Sequence, residues 1–326
     1  MYPSISSTFT EVTKRLGTNF RVFFKNELEQ PSGSFKLRGL GYLIGQSLAK
    51  AKVMKKEGVQ VFSSSGGNAG LAAAYAAQFY KVPCTVVLPI VSKQVVITKL
   101  ESLGAKVIVE GRHWGEADAF LRETLISKLP ESIYPVYCHP FDDPIIWDGH
   151  AKFIDEVVES FSKEDLSHLK AVICSVGGGG LYNGVVEGLD RNGLKEVPVV
   201  AVETIQAPTF TEAVKAGKQV HLETVKTIAT SLASPYISEK SLENYYNHNT
   251  ILKTIDDIDA IQGTIDYYDK FHKLIEPACG AAIATVSKRL DLLSDLQLKE
   301  DDIVVVVVCG GSAVSEEVIQ EYRKML

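Results

Sequence analysis

The sequence predicts an α/β protein built on two open, mostly parallel twisted sheets with helices on both faces. Three observations predict it. Short β-rich runs alternate with amphipathic or alanine-rich segments, joined by brief linkers. The run Ile303-Val304-Val305-Val306-Val307-Val308 is β-branched throughout, as suits a strand covered on both faces. Small residues crowd three predicted strand ends, at 63–70, 177–180 and 309–312. Ligands bind at such ends in open parallel sheets.

Composition bounds the possibilities. The chain has 326 residues, 45% of them hydrophobic and 23% charged, enough for two cores. A net charge of −6 argues against a nucleic-acid partner. The longest apolar run is far too short to cross a bilayer. The first residues hold no apolar or arginine-rich targeting pattern. Five cysteines are scattered with no C-x-x-C spacing, which suits a reducing compartment and no zinc site. The expectation is a cytoplasmic protein with neither membrane nor nucleic-acid partner.

Taken in order, residues 1–19 are polar and weakly patterned. Residues 21–25 form a first strand, followed by a loop and a helix over 37–51. Strand 59–62 leads into an alanine-rich helix over 71–79, a favourable composition for one. Strands at 84–89, 105–109 and 134–137 enclose helices at 93–103 and 116–129. After the turn Phe141-Asp142-Asp143-Pro144 come a helix at 150–161 and a strand at 171–176. A helix at 182–189 and a strand at 197–203 follow. Residues 205–250 are less regular. Helices at 254–273 and 279–293 precede the last strand at 303–308. Residues 39–136 read as a small domain set into a larger one made of 1–38 and 137–326.

The loop before the first helix is Pro31-Ser32-Gly33-Ser34-Phe35-Lys36-Leu37-Arg38-Gly39. A lysine beside a helix N-terminus meets an unfavourable field. That field, with partial burial, lowers the amine pKa and favours a nucleophile. A lone lysine there would read better as an ordinary surface residue, so the other strand ends decide. Gly177-Gly178-Gly179-Gly180-Leu181 follows a strand and opens a helix, so bare N–H groups can converge on a phosphate. Four consecutive glycines cost more backbone entropy than a turn requires. The spacing is neither that of a dinucleotide fold nor that of a Walker loop. Ser63-Ser64-Ser65-Gly66-Gly67-Asn68-Ala69-Gly70 offers hydroxyls, an amide and N–H groups suited to a carboxylate. A simple N-cap would need one serine. Cys309 ends the buried strand; a buried cysteine alone reads as inert packing, while Gly310 and Gly311 after it bring the backbone close to a partner and support a functional reading. A reactive lysine, a phosphate cradle and a carboxylate cradle together describe pyridoxal phosphate meeting an amino acid.

With these motifs in this order, and with Phe141-Asp142-Asp143-Pro144 and Glu276-Pro277-Ala278-Cys279-Gly280-Ala281, the chain resembles the catabolic L-serine/L-threonine dehydratases. These belong to the tryptophan-synthase-β-like class of pyridoxal-phosphate (PLP) enzymes. The resemblance runs from about residue 17 onward. It implies a cofactor cleft between a large PLP-binding domain and a small substrate-side domain. It implies that Lys36 holds PLP as a Schiff base and takes the substrate α-proton, and that Phe35 packs on the pyridine ring. Asn68 would bond the ring hydroxyl. Gly177, Gly178, Gly179, Gly180 and Leu181 would hold the phosphate, and Cys309 would face the ring nitrogen. Ser65, Gly66, Gly67, Asn68 and Ala69 would hold the substrate carboxylate. A monovalent cation such as K+ is implied near Glu203, Ala207 and Ser234, and a homodimer as the assembly. The implied reaction turns L-serine into pyruvate and ammonia, and L-threonine into 2-oxobutyrate and ammonia.

Racemases of this class carry a hydroxyl where this chain has Gly66, so elimination without racemisation is expected. The leader 1–8 lacks the usual Thr-Pro-Leu-like segment. No regulatory domain is expected after Leu326. Two alternatives stay open: a β-replacement enzyme of the same class, and a weakly active regulatory or binding paralogue that keeps PLP.

Overall fold

Ten strands carry the architecture of residues 1–326, all described in a computed structural model. They are β1 (Phe9–Glu11), β2 (Arg21–Lys25), β3 (Gly58–Ser63), β4 (Cys84–Leu88), β5 (Lys106–Val109), β6 (Ile133–Tyr137), β7 (Leu169–Ser175), β8 (Val199–Thr204), β9 (Thr250–Ile255) and β10 (Ile303–Val307). Two sheets result, one in the order β1-β2-β10-β7-β8-β9 and one in the order β5-β4-β3-β6. Every pairing is parallel except that of β1 with β2. The expected α/β class with two mostly parallel sheets is the fold observed.

Contacts divide the chain into two units. The first comprises Met1–Ile5 with Gln30–Gly149 and contains the four-stranded sheet. The second comprises Ser6–Glu29 with His150–Leu326 and contains the six-stranded sheet. The expected bounds put 1–5, 30–38 and 137–149 elsewhere. In the structure all three segments group with the four-stranded sheet, the last two for a packing reason. The helix Lys36–Val53 begins at the lysine and shares one apolar cluster with Ala69, Leu71, Val136 and Ile146. Gly149 approaches so closely that a Cβ there would lie 2.8 Å from the Arg38 carbonyl oxygen.

The second unit is built around β10, whose five residues are all fully buried between β2 and β7. Its edge strands were the hard ones to read. β9 is half-buried and falls where no strand is expected, its last two residues in the helix expected from 254, which begins instead at Asp257 with Asp256 accepting the Ile258 N–H at 2.9 Å. β1 lies in the weakly patterned leader and pairs its Thr10 with Phe24. The helix expected from 150 spans Pro144–Ser160, because proline suits a first helical position and Asp143 accepts the Ile145 N–H at 2.7 Å. The helix expected over 279–293 spans Pro277–Ser287, and the one expected over 116–129 turns π-helical at Leu121–Leu125. No helix is long and apolar enough to cross a membrane.

Candidate active site

In the first unit, Lys36 is the first residue of its helix, where N–H groups lack intrahelical acceptors. Its Nζ donates to the Pro140 carbonyl and lies 5.0 Å from the centre of the Phe35 ring. Ser32 and Ser34 beside it keep buried hydroxyl oxygens with no protein partner. Orphaned hydroxyls next to a lysine fit a polar ligand, since burying them unpaired costs free energy.

The serine-rich loop lies in the same unit. β3 ends at Ser63, and Asn68 opens the helix Asn68–Tyr80. Ser65 Oγ accepts the Gly67 N–H at 3.2 Å, a serine turn that orients the loop. Gly70 is obligatory, because a Cβ there would sit 1.7 Å from the Ser65 carbonyl oxygen. At Gly66 a Cβ would meet Val96 at 3.1 Å and Leu88 at 3.2 Å, so even alanine would be tight. The helices that begin at Lys36 and Asn68 pack into one apolar cluster.

In the second unit, the tetrad follows β7 and Cys309 follows β10, its neighbour in the sheet. Ser175 Oγ and Cys309 Sγ are 3.6 Å apart. The tetrad opens the helix Gly180–Arg191, with Gly179 capping it at φ +93°. A Cβ on Gly179 would lie 1.9 Å from Ser241 Oγ, and one on Gly177 3.1 Å from Leu232. Side chains are thereby excluded at both positions, leaving backbone N–H groups at a positive helix end, as a phosphate site requires. Asn183, one turn on, braces the cradle. It donates to Ser238 Oγ and accepts from Ser241 Oγ, both at 2.9 Å. The loop after Cys309 is held by Glu276, which accepts the Ser312 and Ala313 N–H groups at 2.8 and 3.0 Å and the Ser231 hydroxyl. Burial pushes the neighbouring Cys279 thiol well up, so it stays protonated.

Glu203, near the end of β8, is fully buried. Burial pushes its carboxyl up to about 7 despite N–H groups of Phe210 and Thr211 at 2.9 and 2.8 Å. Ala207 and Ser234 are also buried, and the Ser234 carbonyl accepts from Thr209 Oγ1 at 2.9 Å.

Several residues beside these loops carry no sequence signature. Pro140 acts through a carbonyl, which every residue has. Asp118 and His139 look like ordinary polar residues until the fold brings their partners in. His139 Nδ1 accepts the Phe141 and Asp142 N–H groups at 3.3 and 2.8 Å.

The fold and these loops define a PLP enzyme: the chain belongs to the pyridoxal-phosphate dependent enzyme family, which matches residues 7–310. Among its relatives, it is 43% identical over 314 residues to the catabolic L-serine/threonine dehydratase of Saccharomyces cerevisiae, covering 93% of this chain and 87% of that one. It is 38% identical over 321 residues to the L-serine dehydratase/L-threonine deaminase of Mus musculus, covering 97% and 92%. A fungal L-serine ammonia-lyase from Rhizomucor miehei superposes with a TM-score of 0.87 at 32% identity, over 99% of both chains.

Proposed function

We propose that this protein deaminates L-serine to pyruvate and ammonia, and L-threonine to 2-oxobutyrate and ammonia, the water lost in the elimination being returned when the released imine hydrolyses. The observation that carries the reading is a family match running through both the lysine loop and the glycine tetrad, with dehydratases of serine and threonine as near-full-length relatives. PLP, when bound, supplies an electron sink that acidifies the amino acid Cα.

The residues divide the work. Lys36 Nζ holds the cofactor covalently and takes the Cα proton. The tetrad and Leu181 hold the phosphate through N–H groups. Asn68 and Phe35 orient the ring, with the Phe35 ring already beside the lysine amine. N–H groups and the hydroxyl of residues 65–69 hold the substrate carboxylate. Cys309 would face the ring nitrogen, where a thiol is a weaker partner for a pyridinium than a carboxylate would be. A weaker sink favours loss of the β-hydroxyl along with the α-proton. Gly66 provides no second base, so Cα is not reprotonated from the opposite face.

In this reading the six-stranded unit contributes the phosphate cradle and Cys309, and the four-stranded unit contributes Lys36, Phe35, Asn68 and the carboxylate loop. K+ occupies the region of Glu203, Ala207 and Ser234, where a buried carboxylate needs a counter-charge. The protein is a cytoplasmic homodimer, in keeping with five unpaired, buried cysteines. The leader is anchored despite its unusual sequence, with β1 paired to β2 and Gln30 Oε1 accepting the Ile5 N–H at 3.0 Å. That weakens the case for a weakly active regulatory or binding paralogue.

The purified protein is expected to be yellow and to release keto acid from L-serine and L-threonine without D-serine. Borohydride should fix the cofactor on Lys36, and Lys36→Ala should abolish turnover. A colourless protein with no adduct would overturn the assignment, and product formation only with an added nucleophile would point to β-replacement.

A further inference from the structure

Asp118 has no role in the chemistry above, yet it lies at a junction of the first unit. It is 5% exposed, in the helix Trp114–Phe120, directly before the π-helical turn Leu121–Leu125. Such widened turns recur at functional sites. Its Oδ1 accepts two hydroxyl protons, from Ser64 at 2.7 Å and from Tyr137 at 2.6 Å. Its Oδ2 accepts from Arg122 Nε at 2.8 Å. Burial alone would raise its pKa, but these hydrogen bonds outweigh burial and hold it below the usual carboxylate range.

The two hydroxyls lead to different machinery. Ser64 adjoins Ser65, whose Oγ takes the Gly67 N–H in the loop that enters the Asn68 helix. Tyr137 ends β6, three residues before the Pro140 carbonyl that receives Lys36 Nζ. His139, between them, pins the turn through the Phe141 and Asp142 N–H groups. A single carboxylate oxygen is thus bonded to the anchor of the carboxylate loop and to the anchor of the turn facing the amine. Hydrogen bonds to a charged group hold more strongly than neutral ones.

We infer that Asp118 is a positioning residue that sets the carboxylate loop and the Lys36-facing turn in one register through Ser64 and Tyr137. The inference rests on the proposed roles of Lys36 and of residues 65–69, and its test has a readout that does not. Hydrogen exchange followed by mass spectrometry reads the two loops directly in the holoenzyme. Asp118→Ala should speed exchange about tenfold in both 63–70 and 138–142, the scale of losing a charge-assisted bond. Ser64→Ala should loosen only the first segment, and Tyr137→Phe only the second. Asp118→Asn keeps an oxygen that can accept both hydroxyls, so it should restore both loops and also shows whether the alanine variant merely misfolds. In turnover, Asp118→Ala should raise KM for L-serine and lower kcat, each about tenfold, with Asn within about threefold of the parent. Ser64→Ala and Tyr137→Phe should add nothing in the Asp118→Ala background. Unchanged exchange in either loop of Asp118→Ala would overturn the inference, as would full additivity of the hydroxyl deletions. A parent protein that forms no Lys36 adduct and no pyruvate would instead sink the functional reading, with exchange still deciding the role of Asp118.

Discussion

His139 shows how a single side chain is fixed by its surroundings. Burial pushes its pKa down from 6.5 to about 4, Lys36 and Arg122 push the same way, and Asp118 opposes them. Between pH 4 and 6.5 the unfolded chain binds a proton at this residue that the folded chain does not. Its contribution to stability therefore rises with pH across that window and is level above it. The neutral ring is also the form that can accept two N–H groups at Nδ1. The Cε1–H resonance of His139 is expected to stay flat from pH 5.5 to 8, and a midpoint near 6.5 would contradict this environment. Lys36 was legible in the sequence because its neighbours are small and its position at a helix start is electrostatically odd. His139, Asp118 and Pro140 were not, since their parts depend on partners that only the fold supplies.

The tetrad is where an element's geometry and its sequence agree most closely. A strand end needs a sharp turn into a helix, and Gly179 provides it at φ +93°, in a region that L side chains rarely adopt. Gly179→Ala adds a strained backbone and a Cβ 1.9 Å from Ser241 Oγ. It is expected to cost roughly 2 kcal/mol or more and to lower bound PLP, read as a fall in Tm together with loss of the cofactor absorbance. Unchanged Tm and cofactor content would mean that the cradle tolerates a side chain. Interior strands were readable because burial on both faces leaves a continuous apolar run. β9 was not, since its half-buried, Lys-bearing edge mixes polar and apolar residues without clean alternation. Helix starts shifted where Asp143 and Asp256 cap through side chains, a local bond that apolar periodicity does not report.

For the molecule as a whole, Glu203 ties folding to pH and to ions. Its folded pKa of about 7 stands above the usual 4.5. The folded chain keeps a proton there that the unfolded chain releases as pH rises past 4.5. The contribution to stability is thus greatest at acid pH and falls until pH passes about 7, by on the order of 3 kcal/mol. A bound K+ would offset this where the carboxylate is ionised. The Tm gain from K+ over a bulky organic cation should accordingly be larger at pH 8 than at pH 6, and equal gains would argue against K+ at Glu203. The residues alone show Glu203 only as an acid at the end of an apolar strand; the resemblance singled it out, and its full enclosure came only with the fold.

The placement of β10 has a consequence for how the protein is made. This strand sits in the middle of its sheet, with β2 from near the N-terminus on one side and β7 on the other. On the ribosome, β2 and β7 therefore wait with bare edges until β10 has emerged. Cys309 and its glycines arrive only with β10, after every other strand of this sheet. The four-stranded sheet, whose strands all lie between residues 58 and 137, can assemble well before that. The nascent chain thus has an early half and a late half, and exposed strand edges in the late half make it the part most dependent on chaperones.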